Sequence, residues 1–381
     1  EFADGRQKRI YPFNRLYSNL IGYTSKKYGR FLIENSFNNY LIGNDYNTSI
    51  IDVISSNELT EGADLNLTVD NDLQLLAADL LGERKGAVVA IEPGTGKILA
   101  MVSKPWFNPN EEELDNNWDK LCEDDDNVFF PRATMGLYPP GSSFKTIVAT
   151  SAASNMMDSE EYDDTGSIEI YGKVFENYGD KAYGNIDIKK AFAVSSNSYF
   201  INLADKLGYN KIKDSSSKFL FGQEITFDIP VSVSRVLESN DRINVAAVGM
   251  GQGDALSTPF NMALAAAGIA NNGIIMKPYV VESAVYQDGN VGYKAKQKQL
   301  IRCASPYAAS KVQDMMIECV KSGTGTGAAI SGITVAGKTG TAENGSGKDH
   351  AWFIAYAPAE DPQIAVAVLI ENAGTTGSVA S

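Results

Sequence analysis

The chain has 381 residues, 44% hydrophobic and 21% charged, which is enough globular material for one large domain and a smaller one. Its net charge of -14, with pI near 4.7 and no Lys/Arg cluster, argues against nucleic acid as a partner, because phosphates would be repelled. No run is long and apolar enough to span a bilayer, and no signal peptide is visible. Glu1-Phe2-Ala3-Asp4-Gly5 reads as a cut end that an anchor once preceded. The three cysteines, Cys122, Cys303 and Cys319, have no metal-like spacing, and an odd count gives no complete disulfide framework. The single histidine, His350, excludes a His-rich metal site. A serine enzyme that did not use His350 would take a lysine as its base.

Residues 1–60 are rich in Tyr, Asn and Ser, with a small α+β module expected from Tyr17 to Gly43. Glu61-Gly62-Ala63-Asp64 marks a boundary that divides the chain into 1–62 and 63–381. Leu65 to Val69 alternates like a strand, and Asp70 to Leu81 has helical spacing with Asp70 or Asn71 as cap. Ala87–Ile91 and Lys97–Val102 predict a hairpin turning at Pro93-Gly94-Thr95-Gly96. Asn108 to Asn127 is acidic and loop-like, and Asp124-Asp125-Asp126 reads as a solvated loop rather than a cation site. Asp158 to Asn185 predicts a hairpin excursion. Helical patterns follow at Ile186 to Asn197, Ser198 to Leu203, Thr258-Pro259 through Ala270, and Pro306 to Val320. Thr334 to Ala342, Trp352 to Tyr356 and Ile364 to Glu371 are strands, expected in one antiparallel sheet with the early hairpin.

The chemistry centres on Tyr138-Pro139-Pro140-Gly141-Ser142-Ser143-Phe144-Lys145-Thr146. Two prolines and a glycine stop the preceding chain, and an apolar run then opens a helix. Ser142 stands at its start with Lys145 one turn on, on the same face. Free N–H groups and the positive helix end surround such a serine, and an amine within reach can take its proton. Ser-x-x-Lys alone is weak: Ser215-Ser216-Ser217-Lys218 also matches and reads as a solvated helix face. Ser195-Ser196-Asn197 is a second motif, weak alone because Ser36-Phe37-Asn38 and Ser55-Ser56-Asn57 share its form. Lys338-Thr339-Gly340 is a third, and it occurs once.

The ordered set Ser142-x-x-Lys145, Ser195-x-Asn197, Lys338-Thr339-Gly340 resembles that of penicillin-binding proteins and class A β-lactamases. Ala336 to Glu343 and Gly249-Met250-Gly251-Gln252-Gly253 sharpen the likeness to class B penicillin-binding proteins, the D,D-transpeptidases of cell-wall synthesis. No glycosyltransferase domain is read in the chain, which favours class B over bifunctional class A. The resemblance covers roughly residue 60 to the end, and more loosely residues 10–60, which are similar to a pedestal segment. It implies an α+β fold, a transpeptidase/β-lactamase-like domain with a central five-stranded antiparallel sheet flanked by helices. Family members usually continue past the equivalent of Gly377-Ser378-Val379-Ala380-Ser381 into a helix covering that sheet.

The resemblance also implies roles. Ser142 attacks a carbonyl and holds the acyl group. Lys145 is its base and must be neutral, whereas an ordinary lysine is neutral in only about one molecule in 2,500 at pH 7. Burial and the like charge of Lys338 supply the difference. Ser195 and Asn197 hydrogen-bond the lysine and relay a proton. The N–H groups of Ser142 and Thr341 form the oxyanion hole. Ser196, Thr339, Gly340 and Thr341 bind substrate, with the Thr341 hydroxyl on its terminal carboxylate and the bare Gly340 admitting a peptide along the strand edge. The implied partners are stem peptides ending in D-Ala-D-Ala, β-lactams and a membrane glycan polymerase, with neither cofactor nor metal. The implied location is the outer face of the bacterial cell membrane. His350 reads as structural or merely near the cleft. The rival readings are a β-lactamase, a D,D-carboxypeptidase and a β-lactam sensor. No Glu-x-x-Leu-Asn follows Asn197 to support the first.

Overall fold

The computed structural model describes residues 8–43, 62–345, 347–374 and 377–381. The Glu1–Gly5 end, Ser55-Ser56-Asn57 and Glu61 of the expected boundary lie outside them. Asp64–Leu67 (β1) leads into the helix Asn71–Leu81 (α1), whose cap is Asp70: its carboxylate accepts from the Asp72 and Leu73 N–H groups. Gly86–Ile91 (β2) and Ile98–Lys104 (β3) form the expected hairpin. The acidic stretch after it is not a loop throughout. It contains the helix Glu111–Cys122 (α2), with three glutamates in its first turn at the positive end of the dipole. Leu114 is its one fully buried side chain, so its periodicity is faint in the sequence.

Lys145–Ser154 (α3) is buried on every side except at its last residue. The polar excursion is two small ladders. Tyr162–Asp164 (β4) pairs with Gly184–Ile186 (β7), and between them Ser167–Ile170 (β5) pairs with Lys173–Glu176 (β6). Ile188–Val194 (α4) and Asn197–Lys218 (α5) follow, the latter interrupted at Gly208. The second Ser-x-x-Lys falls at the end of α5 and is only half a solvated face. Ser215 and Ser216 are buried, while Lys218 is exposed and pairs with Asp214. Pro259–Ala270 (α6), capped by the Thr258 hydroxyl, is wholly buried and apolar except for Asn261, whose amide donates to Phe219 O at 2.8 Å.

Val281–Val285 (β8) pairs with β1, and Pro306–Ser322 (α7) precedes the last three strands. These are Ala336–Ala342 (β9), His350–Ala357 (β10) and Ile364–Ile370 (β11). The central sheet has the order β9-β10-β11-β2-β3, antiparallel throughout, as expected. Alternation along β11 sorts its side chains. Ala365, Ala367 and Leu369 join the main core beneath α3, α6 and α7, whereas Ile370 packs with Ala78 and Leu81 of α1 on the other face. The glycine-containing strand β9 is left as one edge.

The N-terminal segment does not stand apart from this body. Leu20, Leu32, Ile33 and Phe37 belong to the same core, and Phe37 meets Tyr293 edge-on with centroids 5.3 Å apart. The Asn19 amide donates to Ser103 O at 3.3 Å and Pro105 O at 3.2 Å. Among the described residues, no helix is long and apolar enough to cross a membrane.

Candidate active site

Pro139, Pro140 and the left-handed Gly141 (φ +53°) turn the chain into a single 3-10 segment, Gly141–Phe144, that runs straight into α3. Ser142 stands in it, partly exposed, three residues before Lys145. The turn is pinned from both sides. The Trp352 indole donates to Pro139 O at 2.9 Å, and the Ser143 hydroxyl donates to Pro140 O at 2.6 Å. Among the described residues, none hydrogen-bonds the Ser142 hydroxyl.

Lys145 and Lys338 are both fully buried, yet neither has a carboxylate at salt-bridge distance among the described residues. Both converge on one hydroxyl. Lys145 Nζ donates to Ser195 O at 2.8 Å, Asn197 Oδ1 at 2.8 Å and Ser195 Oγ at 3.3 Å. Lys338 Nζ donates to Ser195 Oγ at 2.9 Å and Thr339 O at 3.0 Å. Burial, then the charge of Lys338, hold Lys145 well below the usual lysine range, with Asp164 and Cys319 opposing. Burial lowers Lys338 too, with Cys319 opposing. The Phe200 ring, 5.5 Å from Lys145 Nζ, and the Phe192 ring, 5.6 Å from Lys338 Nζ, close the site beneath.

Ser195 ends α4 in the left-handed region (φ +62°, ψ +39°), and this turns successive side chains to opposite sides. Asn197 faces the lysine, and its Nδ2 donates to Glu176 O at 3.0 Å, which fixes Oδ1 as the atom toward Lys145. Ser196 was expected on substrate, and the structure corrects this. It is fully buried, its hydroxyl donates to Asp164 Oδ2 at 2.6 Å, and it accepts the Tyr199 N–H as the N-cap of α5.

On β9, Thr339 and Thr341 line the same cleft of about 630 Å³ as Ser142, Ser195 and Asn197. Thr341 Oγ1 accepts from Gly377 N–H at 2.9 Å, and Thr339 Oγ1 lies 2.6 Å from Thr324 Oγ1. Gly340 is bare for a different reason from the one expected. A Cβ there would meet Pro140 O and Trp352 Cβ at 2.9 Å and Ser143 N at 3.1 Å. The missing side chain makes room for the serine turn, not for a peptide along the edge.

His350 is buried off the cleft, its Nδ1 accepting from Asn372 N–H at 3.1 Å and its ring 5.4 Å from that of Tyr138. Asp126 pairs with Lys85. Sequence reasoning missed three residues here. Thr324 follows α7, where the glycines signal only a turn. Asp164 and Asn177 lie in the polar excursion, where no spacing marks them.

The model for the penicillin binding protein transpeptidase domain matches residues 86–381, and that for the penicillin binding protein A dimerisation domain matches residues 3–65. Peptidoglycan D,D-transpeptidase PbpA of Mycobacterium tuberculosis is 33% identical over 97% of this chain and 80% of its own length. Peptidoglycan D,D-transpeptidase MrdA of Acinetobacter baumannii is 30% identical over 98% of this chain and 64% of its own. The M. tuberculosis penicillin-binding protein A structure, a penicillin G acyl-enzyme complex, aligns with a TM-score of 0.92 at 30% identity, covering 100% of this chain and 93% of that one. The D,D-transpeptidase domain of a peptidoglycan glycosyltransferase from Eggerthella lenta aligns with a TM-score of 0.90 at 32% identity, covering 100% and 92%. With its ordered motifs gathered at one cleft and most of its length matched, the chain belongs to the class B penicillin-binding proteins.

Proposed function

We propose that this chain is a peptidoglycan D,D-transpeptidase that cross-links stem peptides through an ester on Ser142 and is inhibited when β-lactams acylate that serine. The observation that carries the reading is the pair of buried lysines meeting on Ser195 Oγ, at the cleft that Ser142 and Ser195 both line. A neutral amine has two N–H bonds and one lone pair. Ser195 O and Asn197 Oδ1, each at 2.8 Å, use the two N–H bonds of neutral Lys145 and leave its lone pair for the incoming proton, while the longer contact to Ser195 Oγ at 3.3 Å becomes a donated bond once Lys145 is an ammonium.

Ser142 Oγ attacks the carbonyl of the penultimate D-Ala and gives its proton to Lys145. The backbone N–H groups of Ser142 and Thr341 hold the oxyanion, and losing one such donor costs on the order of 10²–10³ in rate. The proton passes through Ser195 Oγ to the departing D-Ala amine as the C–N bond breaks. Lys338 donates to that oxygen and leaves its hydrogen free to point into the cleft. An acceptor amine then attacks the ester, Lys145 takes its proton, and Ser142 leaves with that proton restored. The Thr341 hydroxyl, with Thr339 and the Lys338 charge nearby, meets the donor's terminal carboxylate.

The matched ranges support a division into a non-catalytic segment, 1–62, and a transpeptidase domain, 63–381. The substrate calls for a reaction at the outer face of the bacterial cell membrane, with a membrane glycan polymerase supplying strands. A fluorescent penicillin should label wild type and fail on Ser142→Ala; equal labelling of both would remove the reading. The lifetime of the adduct separates the rivals. Hours indicate a transpeptidase or a sensor, and seconds a β-lactamase.

A further inference from the structure

The Ser195–Asn197 turn carries three oxygens that hydrogen-bond Lys145, and what holds the turn lies behind it. Asp164, at the end of β4, is fully buried with no cation at salt-bridge distance among the described residues. Its carboxylate is satisfied by hydrogen bonds alone. Oδ1 accepts from Gly166 N–H at 2.9 Å and Asn177 Nδ2 at 2.8 Å, and Oδ2 accepts from Ser196 Oγ at 2.6 Å and Asn177 Nδ2 at 3.0 Å. Asn177 is also buried, and its Oδ1 accepts the N–H groups of Asn197 at 2.7 Å and Ser198 at 2.9 Å. Ser196 Oγ takes the N–H of Tyr199 at 3.0 Å. Three N–H groups in the first turn of α5 are therefore capped by two side chains that both donate to one carboxylate. That carboxylate lies behind the positive end of the first part of α5, before its interruption at Gly208, where an anion is favoured.

We propose that Asp164 and Asn177 are positioning residues for the acylation machinery: they hold Ser195 and Asn197 against Lys145, and the Asp164 charge acts on Lys145 against that of Lys338. The proposal rests on the reading of Lys145 as the base for Ser142. The charged and titratable groups acting on Lys145 come from three elements: Lys338 on β9 pushes it toward neutrality, while Asp164 on β4 and Cys319 on α7 oppose. Ser195 and Asn197 contact it directly. Tyr162 and Tyr183 also face the Asp164 charge: burial raises both phenols first, and the charge adds to it. Removing the carboxylate charge thus loosens the turn and also favours neutral Lys145. The two effects are separable, because the first lowers the rate and the second moves its pH dependence.

The test measures acylation by a fluorescent penicillin from pH 5.5 to 9.5, resolving the covalent rate constant from the non-covalent affinity, with a melting curve for each variant. Labelling of wild type but not Ser142→Ala secures the underlying reading first; if wild type is not labelled, that reading fails and not the positioning network. Asp164→Asn should lower the covalent rate constant roughly 10- to 100-fold, as loss of charge-assisted hydrogen bonds does. It should leave the non-covalent affinity near wild type and displace the rate profile to lower pH. Asn177→Ser should slow acylation similarly with no displacement, because the Asp164 charge stays. The exchange Asp164→Asn/Asn177→Asp, which returns a carboxylate beside the α5 N-terminus, should recover part of the loss. A folded Asp164→Asn within twofold of wild type, with its profile in place, overturns the proposal. A loss equal at every pH overturns the charge role. If Asp164→Asn does not fold, Asn177→Ser decides, and acylation at the wild-type rate refutes the network.

Discussion

Gly251, in the Gly-Met-Gly-Gln-Gly loop, is the sharpest point at which backbone geometry bears on the proposed nucleophile, Ser142. It holds φ +75°, and a Cβ added to it would lie 1.9 Å from Gly141 O and 2.9 Å from Gly141 N. Gly251 O in turn accepts from Gly141 N–H at 3.0 Å. Gly141 carries the same constraint one layer on, because its own Cβ would meet Thr341 O at 2.3 Å. Loop, serine turn and β9 are thus stacked backbone on backbone, which sets Ser142 relative to the proposed oxyanion donor on Thr341. In Gly251→Ala, a carbon–oxygen contact needs about 3.3 Å, so the loop and the turn must part by about 1 Å or more. A displacement of about 1 Å at reacting groups costs about 10²-fold in rate. Holding alanine in the left-handed region costs about 1–2 kcal/mol besides. The control is Gly172→Ala, at the β5–β6 hairpin tip, where φ is +80° and nothing lies within 4 Å of the added carbon. Both variants should melt a few degrees lower. Only Gly251→Ala should lose about 100-fold in the second-order rate of acylation by a penicillin. If the folded Gly251→Ala protein acylates within threefold of wild type, the stacked backbones do not position Ser142.

Three further outcomes follow from the same structure. Lys338→Met removes the cation that, after burial, holds the Lys145 pKa down, so that pKa rises and less lysine is neutral at a given pH. The rising limb of the acylation profile should therefore move to higher pH, and an unmoved limb would contradict the coupling. Arg132→Met strips the Glu371 carboxylate of its cation where the two side chains are only 6% and 15% exposed, leaving it the Tyr138 hydroxyl. Thermal denaturation should show a loss of about 3–5 kcal/mol, largely recovered in the Arg132→Met/Glu371→Gln pair. Phe37→Ala opens the core that the N-terminal segment shares with the large domain, and should cost about 3–5 kcal/mol by the same measurement. A loss under about 1 kcal/mol would mean that the segment merely touches its neighbour.

What the sequence discloses and what it hides divide along one physical line. The β2–β3 hairpin is legible because continuous apolar runs flank a Pro-Gly-Thr-Gly turn, and α6 because Thr258-Pro259 opens a long Ala-rich run. Ser142, Lys145 and Lys338 are legible because local chemistry dictates the pattern, the lysine standing one turn after the serine and the second lysine on a small-residue strand. The helix α2 is hidden because it commits only Leu114 fully to the interior. Ser196 is misread because a side chain's direction within Ser-Ser-Asn depends on one left-handed residue, Ser195, that no spacing announces. Asp164 and Asn177 are invisible for a stronger reason. A buried carboxylate with, among the described residues, four hydrogen bonds and no cation at salt-bridge distance takes three of those bonds from side chains 13 and 32 residues away, which no local pattern announces. The groups proposed to perform the chemistry are therefore written in short motifs, whereas the groups proposed to aim them are dispersed, and only the folded chain brings the two sets together. A substitution in the second set should accordingly leave every motif intact and still slow acylation, which is the pattern to look for when a variant with an unaltered Ser142, Lys145 and Lys338 reacts poorly.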